Sequence, residues 1–252
     1  MGTTSKTRLD LLLVERNLAP SRERARAYIL AGRVLVNEQK VDKPGTTVAG
    51  DAAVRLLGDD MPFVSRGGLK LAAALEHWKI SVKGRACLDV GASTGGFSDC
   101  LLQHGAAHVT AVDTGFGQIA MKLRNDPRMR LMERTNARLL DAGALAANKG
   151  EQELTLLVMD VSFISATLLL EPVLEAAPAL TEAVVLVKPQ FEAGREHVGK
   201  GGIVRDSHAH QLAVAKVADC LRGLGWKVAG TIDSPITGAE GNKEFLLYAK
   251  RS

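Results

Sequence analysis

Three charged residues border three separate apolar runs. Asp160 follows the run from Leu154 to Met159, Lys188 follows Ala183 to Val187, and Glu244 opens the run from Phe245 to Ala249. A charge at the carboxyl end of a buried parallel strand faces the ligand crevice of an open α/β sheet. The run 245–249 reads as the second of two closing antiparallel strands, so Glu244, at its start, falls on the same edge. Ordinary surface charge accounts for any one of these residues but poorly for three strands that deliver charge to one rim. Lys70 stands in the first turns of a helix expected from Ser65, its cap, to about Trp78. A lone lysine there is most often solvated. Two lysines and two carboxylates suit the removal of a proton from a hydroxyl. A lysine whose pKa is lowered by partial burial or a neighbouring cation accepts the proton, and the remaining charges orient it and hold the hydroxyl.

The stretch Asp89-Val90-Gly91-Ala92-Ser93-Thr94-Gly95-Gly96-Phe97 offers that hydroxyl a reaction partner. Residues 86–90 read as a short buried strand, and Phe97 opens a helix through Cys100, Leu101 and Leu102. A strand, a small-residue turn and a helix form the nucleotide-binding start of a doubly wound sheet. The dinucleotide fingerprint needs glycine at the position of Ser93, and Asp89 repels phosphate, so a pyrophosphate fits poorly. A positively charged ligand, such as the sulfonium and amino groups of S-adenosylmethionine, fits better. Asp113 ends the next strand, 109–112, about 20 residues on, where a carboxylate binds ribose hydroxyls. Asn136 follows the short strand 129–132. It either reaches an adenine edge or stabilises its own turn, and both readings stand at this point. The cofactor-binding candidates are Asp89, Gly91, Ala92, Ser93, Thr94, Gly95, Gly96, Phe97, Asp113, Asn136 and Asp160.

These residues need a scaffold, and the chain supplies one. It has 252 residues, enough for one large domain and one small one. Hydrophobic content of 46% and charged content of 24% place it among soluble globular proteins. The net charge of +4 makes an acidic partner such as nucleic acid plausible. Cys87, Cys100 and Cys220 lie in apolar patterns without metal-ligand spacing, which predicts reduced core thiols, no metal and a cytoplasmic protein. No apolar run reaches membrane-spanning length, so no membrane partner is expected. The large domain is expected to be an α/β, Rossmann-like fold with a mostly parallel seven-stranded sheet.

The first 58 residues read as a compact satellite. Leu9, Leu12, Leu13 and Leu18 form a helical stripe, and Ser21 caps a second helix from Arg22 to Ala31, ended by Gly32. Ala25, Ile29 and Leu30 are expected to face the first helix, with Arg22, Arg24 and Arg26 outward. Short strands follow at 34–36 and 53–57, separated by a turn from Asn37 to Lys40. Basic residues cluster there: Arg8, Arg22, Arg24, Arg26, Arg33, Lys40 and Lys43. On charge alone a solvated face and an RNA contact are equally good readings. With Tyr28 as its one aromatic, the module suits phosphate and groove contacts to structured RNA better than base stacking. Arg8-Leu9-Asp10, Leu18-Ala19-x-Ser21-Arg22-x-x-Ala25, Ile29-x-x-Gly32-x-Val34-x-Val36-Asn37 and Lys43-Pro44 resemble the small α-L RNA-binding module of the S-four type. It departs at Glu38, where a glycine is common. The resemblance implies RNA contacts at Arg8, Ser21, Arg22, Arg24, Arg26, Arg33, Lys40 and Lys43, with Arg66 added just beyond a linker at 59–64.

Elimination narrows the chemistry. Base N-methylation wants an Asp/Asn-Pro-Pro-aromatic turn where this chain has Asp160-Val161-Ser162-Phe163, and cytosine carbon methylation wants a nucleophilic cysteine, which none of the three is placed to be. Ribose O-methylation is the chemistry left. Ser65-Arg66-Gly67-Gly68-x-Lys70, the stretch 89–97, Val112-Asp113-x-Gly115-x-Gly117-Gln118, Val187-Lys188-Pro189-Gln190-Phe191-Glu192, Lys200-Gly201-Gly202 and Gly241-Asn242-x-Glu244 resemble the TlyA family, with an FtsJ-type methyltransferase domain here at 65–252. The resemblance implies S-adenosylmethionine-dependent 2′-O-methylation of cytidine in ribosomal RNA. It also implies a Lys-Asp-Lys-Glu tetrad at Lys70, Asp160, Lys188 and Glu244 and ribosomal subunits as partners; a monomer is expected. Two other readings are an RNA-binding assembly factor with a vestigial cofactor site and a membrane-lytic haemolysin, a name that members of the family often carry.

Overall fold

The structure is a computed structural model, which describes residues 6–56, 61–145, 152–238 and 241–251. Residues 59 and 60 of the expected linker lie outside the described residues. The chain forms two compact units, Met1–Pro62 and Phe63–Ser252.

The first unit begins with β1 (Lys6–Arg8), which leads directly into α1 (Leu9–Glu15); α2 is Arg22–Leu30. Short strands follow: β2 (Val34–Val36), β3 (Gln39–Val41), β4 (Thr47–Ala49) and β5 (Val54–Leu56). β2 is central between β3 and β5, while β1 pairs antiparallel with β4. Ser21 caps α2 by accepting a hydrogen bond from the Arg24 amide at 3.2 Å. Leu9, Leu12, Leu13, Ala25, Ile29 and Val34 form the core. Leu30 corrects the expectation for α2: it is 67% exposed, because Ala25 and Ile29, four residues apart, share the buried face while Leu30 is turned about 100° away from Ile29. The β2–β3 turn places Asn37 and Glu38 at φ 50 and 64. Glu38 holds this left-handed position, natural to glycine, with its carboxylate paired to Arg55 at 2.5 Å.

The second unit opens with α3 (Gly67–His77). Its N-cap is Arg66, not Ser65, which lies instead against Gly67 and Gly96. Next come β6 (Ala86–Val90), α4 (Gly96–Gln103), β7 (His108–Val112), α5 (Met121–Arg124), β8 (Met129–Met132) and α6 (Ala142–Leu145). The remainder is β9 (Leu154–Met159), α7 (Thr167–Ala176), β10 (Glu182–Val187), α8 (Pro189–Glu192), α9 (Ser207–Gly223), β11 (Trp226–Asp233) and β12 (Phe245–Arg251). The segment between α8 and α9 contains two short 3-10 turns.

The sheet runs β11-β12-β10-β9-β6-β7-β8. β6 to β10 are parallel, and β11 and β12 close the edge antiparallel. Strand alternation separates two cores. Leu157 and Met159 of β9 pack with α7 and α9, while Leu156 and Val158 pack with α3 and α4. The strand order reverses at β6, between β9 and β7, and this switch point opens the crevice beyond the carboxyl ends.

Candidate active site

The turn after β6 is built on three left-handed residues, Gly91 (φ 86), Ser93 (φ 49) and Gly95 (φ 95). A side chain at Gly91 would strike the Asp160 carbonyl, so glycine there lets the first turn lie directly against the end of β9. Ser93 adopts a conformation in which a non-glycine residue is strained, and its amide donates to Asp113 Oδ2 at 2.8 Å. Asp113 Oδ1 accepts from the Gly115 amide at 2.6 Å. One carboxylate at the end of β7 therefore ties together two loops of the crevice.

The crevice holds a cavity of about 330 Å³, bounded by Gly91, Ser93, Asp113, Asn136, Asp160 and the segment 161–164. Five of the expected cofactor residues, Gly91, Ser93, Asp113, Asn136 and Asp160, line it. The others shape it from behind. Ala92 and Phe97 are core residues, Gly95 packs on Ile119 and Leu123, Gly96 lies against Ser65 and Gly68, and the Thr94 carbonyl accepts from the Ala120 amide. Asp89 is fully buried, hydrogen-bonded by Ser98 Oγ at 2.6 Å, and its Oδ1 has no partner. Burial, with Asp160 and Asp113 nearby, pushes its pKa up to about 7 despite the Ser98 hydrogen bond. Asn136 Oδ1 accepts from the Arg138 amide at 3.1 Å, so it stabilises its own turn while also lining the cavity. Asp113 and Asp160 make the wall acidic, and a small apolar set, Val112, Val161, Ile164 and Leu169, completes it. That chemistry fits a cationic sulfonium ligand and disfavours a pyrophosphate.

The four residues expected to act together resolve into two ion pairs. Lys188 Nζ lies 2.6 Å from Asp160 Oδ1 and donates to Ser162 Oγ at 2.7 Å. Lys70 Nζ lies 2.5 Å from Glu244 Oε2, with both side chains buried. Lys70 thus departs from the solvated expectation, because α3 packs against the sheet near the start of β12 and brings Glu244 to it. A Cβ built on Gly67, one turn before Lys70, would sit 3.8 Å from Asp160 Oδ2, so α3 adjoins the first pair as well.

Ser162, Phe163, Gln118 and Thr135 also line the cavity and were not singled out from the sequence. A polar residue two places after a strand-end Asp was a usable signal for Ser162. Phe163 is 92% exposed at φ 65 and leans on Phe191 at 5.5 Å. Cys87 and Cys100 are buried, and burial pushes both thiols up to about 12, which leaves them inert. Among the described residues no group of three His, Cys, Asp or Glu side chains could hold a metal ion, and no helix is long and apolar enough to cross a membrane.

In the first unit, Arg22, Arg24 and Arg26 are exposed on α2, as are Arg8, Lys40 and Lys43 elsewhere. Tyr28 is buried, with the Arg24 and Arg33 guanidinium groups each 5.1 Å from its ring centroid. It therefore supports arginines and offers no face to a base. Arg66, in the second unit, is exposed at the start of α3.

The FtsJ-like methyltransferase model matches residues 63–251, and the S4 domain model matches 7–54. The chain is 44% identical over 246 residues to the 16S/23S rRNA (cytidine-2′-O)-methyltransferase TlyA of Mycobacterium tuberculosis, covering 97% of this chain and 90% of that protein. It is 39% identical over 245 residues to Hemolysin A of Brachyspira hyodysenteriae, covering 96% and 98%. A solved structure from Streptococcus thermophilus, described as a candidate hemolysin, superposes with a TM-score of 0.74 at 40% identity, over 99% of this chain and 90% of that one. With the switch-point cavity and both ion pairs in place, the chain belongs to the FtsJ-like methyltransferases of the TlyA group, with an S4 domain in its first unit.

Proposed function

We propose that this protein methylates the ribose 2′-oxygen of a cytidine in ribosomal RNA, with S-adenosylmethionine as donor. When bound, the donor supplies an electrophilic methyl carbon on a positively charged sulfur. The observation that carries the reading is the Lys188–Asp160 pair, at 2.6 Å, on the rim of the cavity that the glycine turn floors.

The geometry supports the following assignment of roles. Asp113, already fixed by two backbone amides, presents its carboxylate to ribose hydroxyls of the donor. Asp160 faces the cavity on the side of the pair with Lys188, so its charge serves the sulfonium and the lysine together. Lys188 takes the proton from the ribose hydroxyl onto its Nζ as the oxygen–carbon bond forms and the carbon–sulfur bond breaks. Ser162 and Asp160 fix its Nζ from two sides. Lys70 and Glu244, a buried pair, hold α3 to the start of β12 beside the first pair. The S4 domain and the basic surface of α2 bind the RNA through its phosphates. A ribosomal substrate places the reaction in the compartment that contains ribosomes. The test is a map of 2′-O-methylated riboses in total ribosomal RNA with and without the gene, together with methyl transfer by the pure protein to unmodified subunits. A cytidine methylation lost with the gene and restored by the protein is expected. An unchanged map overturns the proposal.

A further inference from the structure

Asp10 is an acidic residue inside a basic surface, and its carboxylate is completely buried. It accepts from Arg8 Nε and Nη2, both at 3.0 Å, in a two-point fork. It also accepts from Arg22 Nε at 3.0 Å, on the same Oδ2 that receives Arg8 Nη2. Those two nitrogens therefore lie at most about 6 Å apart. The arginine side chains remain 47% and 50% exposed, and no described partner takes Arg8 Nη1 or the terminal nitrogens of Arg22. The backbone anchors the acid as well. The Leu9 amide donates to the Thr46 carbonyl at 2.8 Å, the Asp10 amide donates to the Pro44 carbonyl at 3.3 Å, and Gly45 lies against the Arg8 guanidinium. A buried charge is costly unless paired, and two half-exposed arginines that needed only solubility would require no such partner.

We propose that Asp10 is a positioning residue that holds Arg8 and Arg22 side by side as a preformed fork for one backbone phosphate of RNA. The proposal rests on the RNA reading above and adds to it the site and the device. Arg8 loses rotamer freedom before RNA arrives, so ordering its side chain no longer opposes binding. The fork presents guanidinium N–H groups from two elements, β1 and α2, to one phosphodiester, the geometry in which arginine outperforms lysine.

The experiment inverts the usual electrostatic expectation. Asp10→Asn nearly preserves shape but makes the protein one charge more positive, which by charge alone would tighten RNA binding and steepen its salt dependence. Binding of purified ribosomal RNA is measured across a salt series for the full chain, Asp10→Asn and Arg8→Lys. Loss of the fork predicts that Asp10→Asn weakens binding about 5-fold or more and reduces the slope of log K against log salt by about 1. Arg8→Lys, with charge unchanged, is expected to weaken binding similarly. S-adenosylmethionine affinity and thermal unfolding are followed in parallel. Should Asp10→Asn fail to fold, Arg8→Lys, altered at a half-exposed side chain, decides alone. Equal or tighter RNA binding by the folded variants overturns the fork and leaves Asp10 as a structural ion pair. Absence of any salt-dependent binding by the unaltered chain overturns the RNA reading together with the fork.

Discussion

Lys188 and Lys70 are both largely shielded from solvent, yet their surroundings differ. Lys188 has an acid and a hydroxyl within 2.7 Å at the cavity rim, whereas Lys70 is closed off with Glu244. The first is the better placed to take up a proton, so Lys188→Ala is expected to lower methyl transfer by about 100-fold or more. S-adenosylmethionine affinity should stay within about 3-fold, because general-base catalysis and donor binding rest on different groups. Single-turnover transfer and equilibrium binding check the two halves separately. Asp89 carries a pH signature. Its folded pKa, near 7, is raised above the ordinary 3.8. Between those values the folded state keeps a proton that the unfolded chain has released, so its contribution to stability falls as pH rises from about 4 to beyond 7. Asp89→Asn should remove that fall. Melting temperatures of both proteins across this range are expected to diverge, with the variant gaining on the unaltered protein as pH increases. A constant gap would mean that Asp89 does not titrate there.

At the scale of elements, the loops after β9 and β10 must be held in register for Asp160 and Lys188 to meet. Glu192, the last residue of α8, does this from the side. Its buried carboxylate accepts from the Ala166 amide at 2.6 Å and from Ser165 Oγ at 2.5 Å, and so caps α7, which makes no side-chain cap of its own. Lys216 of α9 donates to the Glu192 carbonyl at 3.1 Å and lies 3.5 Å from its carboxylate. Three helices converge on one residue four places after Lys188. Glu192→Ala should cost about 2 kcal/mol, from the lost cap and an amide left unsatisfied. It should also lower turnover, while Glu192→Gln, which keeps one acceptor and the volume, loses less. Chemical denaturation and transfer kinetics on the two variants provide the check. The same loop logic explains Asn242, which is buried and clasps the Val204 amide and the Gly202 carbonyl, each at 2.9 Å. It fixes the glycine-rich segment to the loop that leads through Glu244 into β12.

At the scale of the molecule, a net charge of +4 is modest, and its distribution carries the meaning. Asp10 and Glu38 turn acidic residues of the first unit into supports for Arg8, Arg22 and Arg55. Arg24 and Arg26 lie exposed on α2, and each phosphate contact released should reduce the salt slope by about 1. The double change Arg24→Ala with Arg26→Ala is therefore expected to lower the slope of ribosomal RNA binding by about 2 and to leave S-adenosylmethionine affinity within about 2-fold. Titrations of both ligands on the same preparation read this out. A matching loss of donor affinity would contradict the division of labour between the units.

Much of this was legible in the chain itself. Apolar runs ending in Asp113, Asp160 and Lys188 marked strands and rim together, because a buried parallel strand must be apolar until it meets the crevice. The glycine turn and the Ser21 cap were readable for the same local reason: few residue types satisfy those backbone positions. Pairing was not readable. Lys70 and Glu244 are 174 residues apart, and nothing near either one announces the other. Ser65 was displaced as a cap by its packing on Gly96, and Leu30 was left outside the face that Ala25 and Ile29 bury. The short β1 was invisible because three residues hold no periodicity, and it exists only through β4. Local spacing determined which residues could stand at the rim. Tertiary packing alone decided which charges neutralise one another, because a long-range ion pair forms only where the whole fold removes both partners from water.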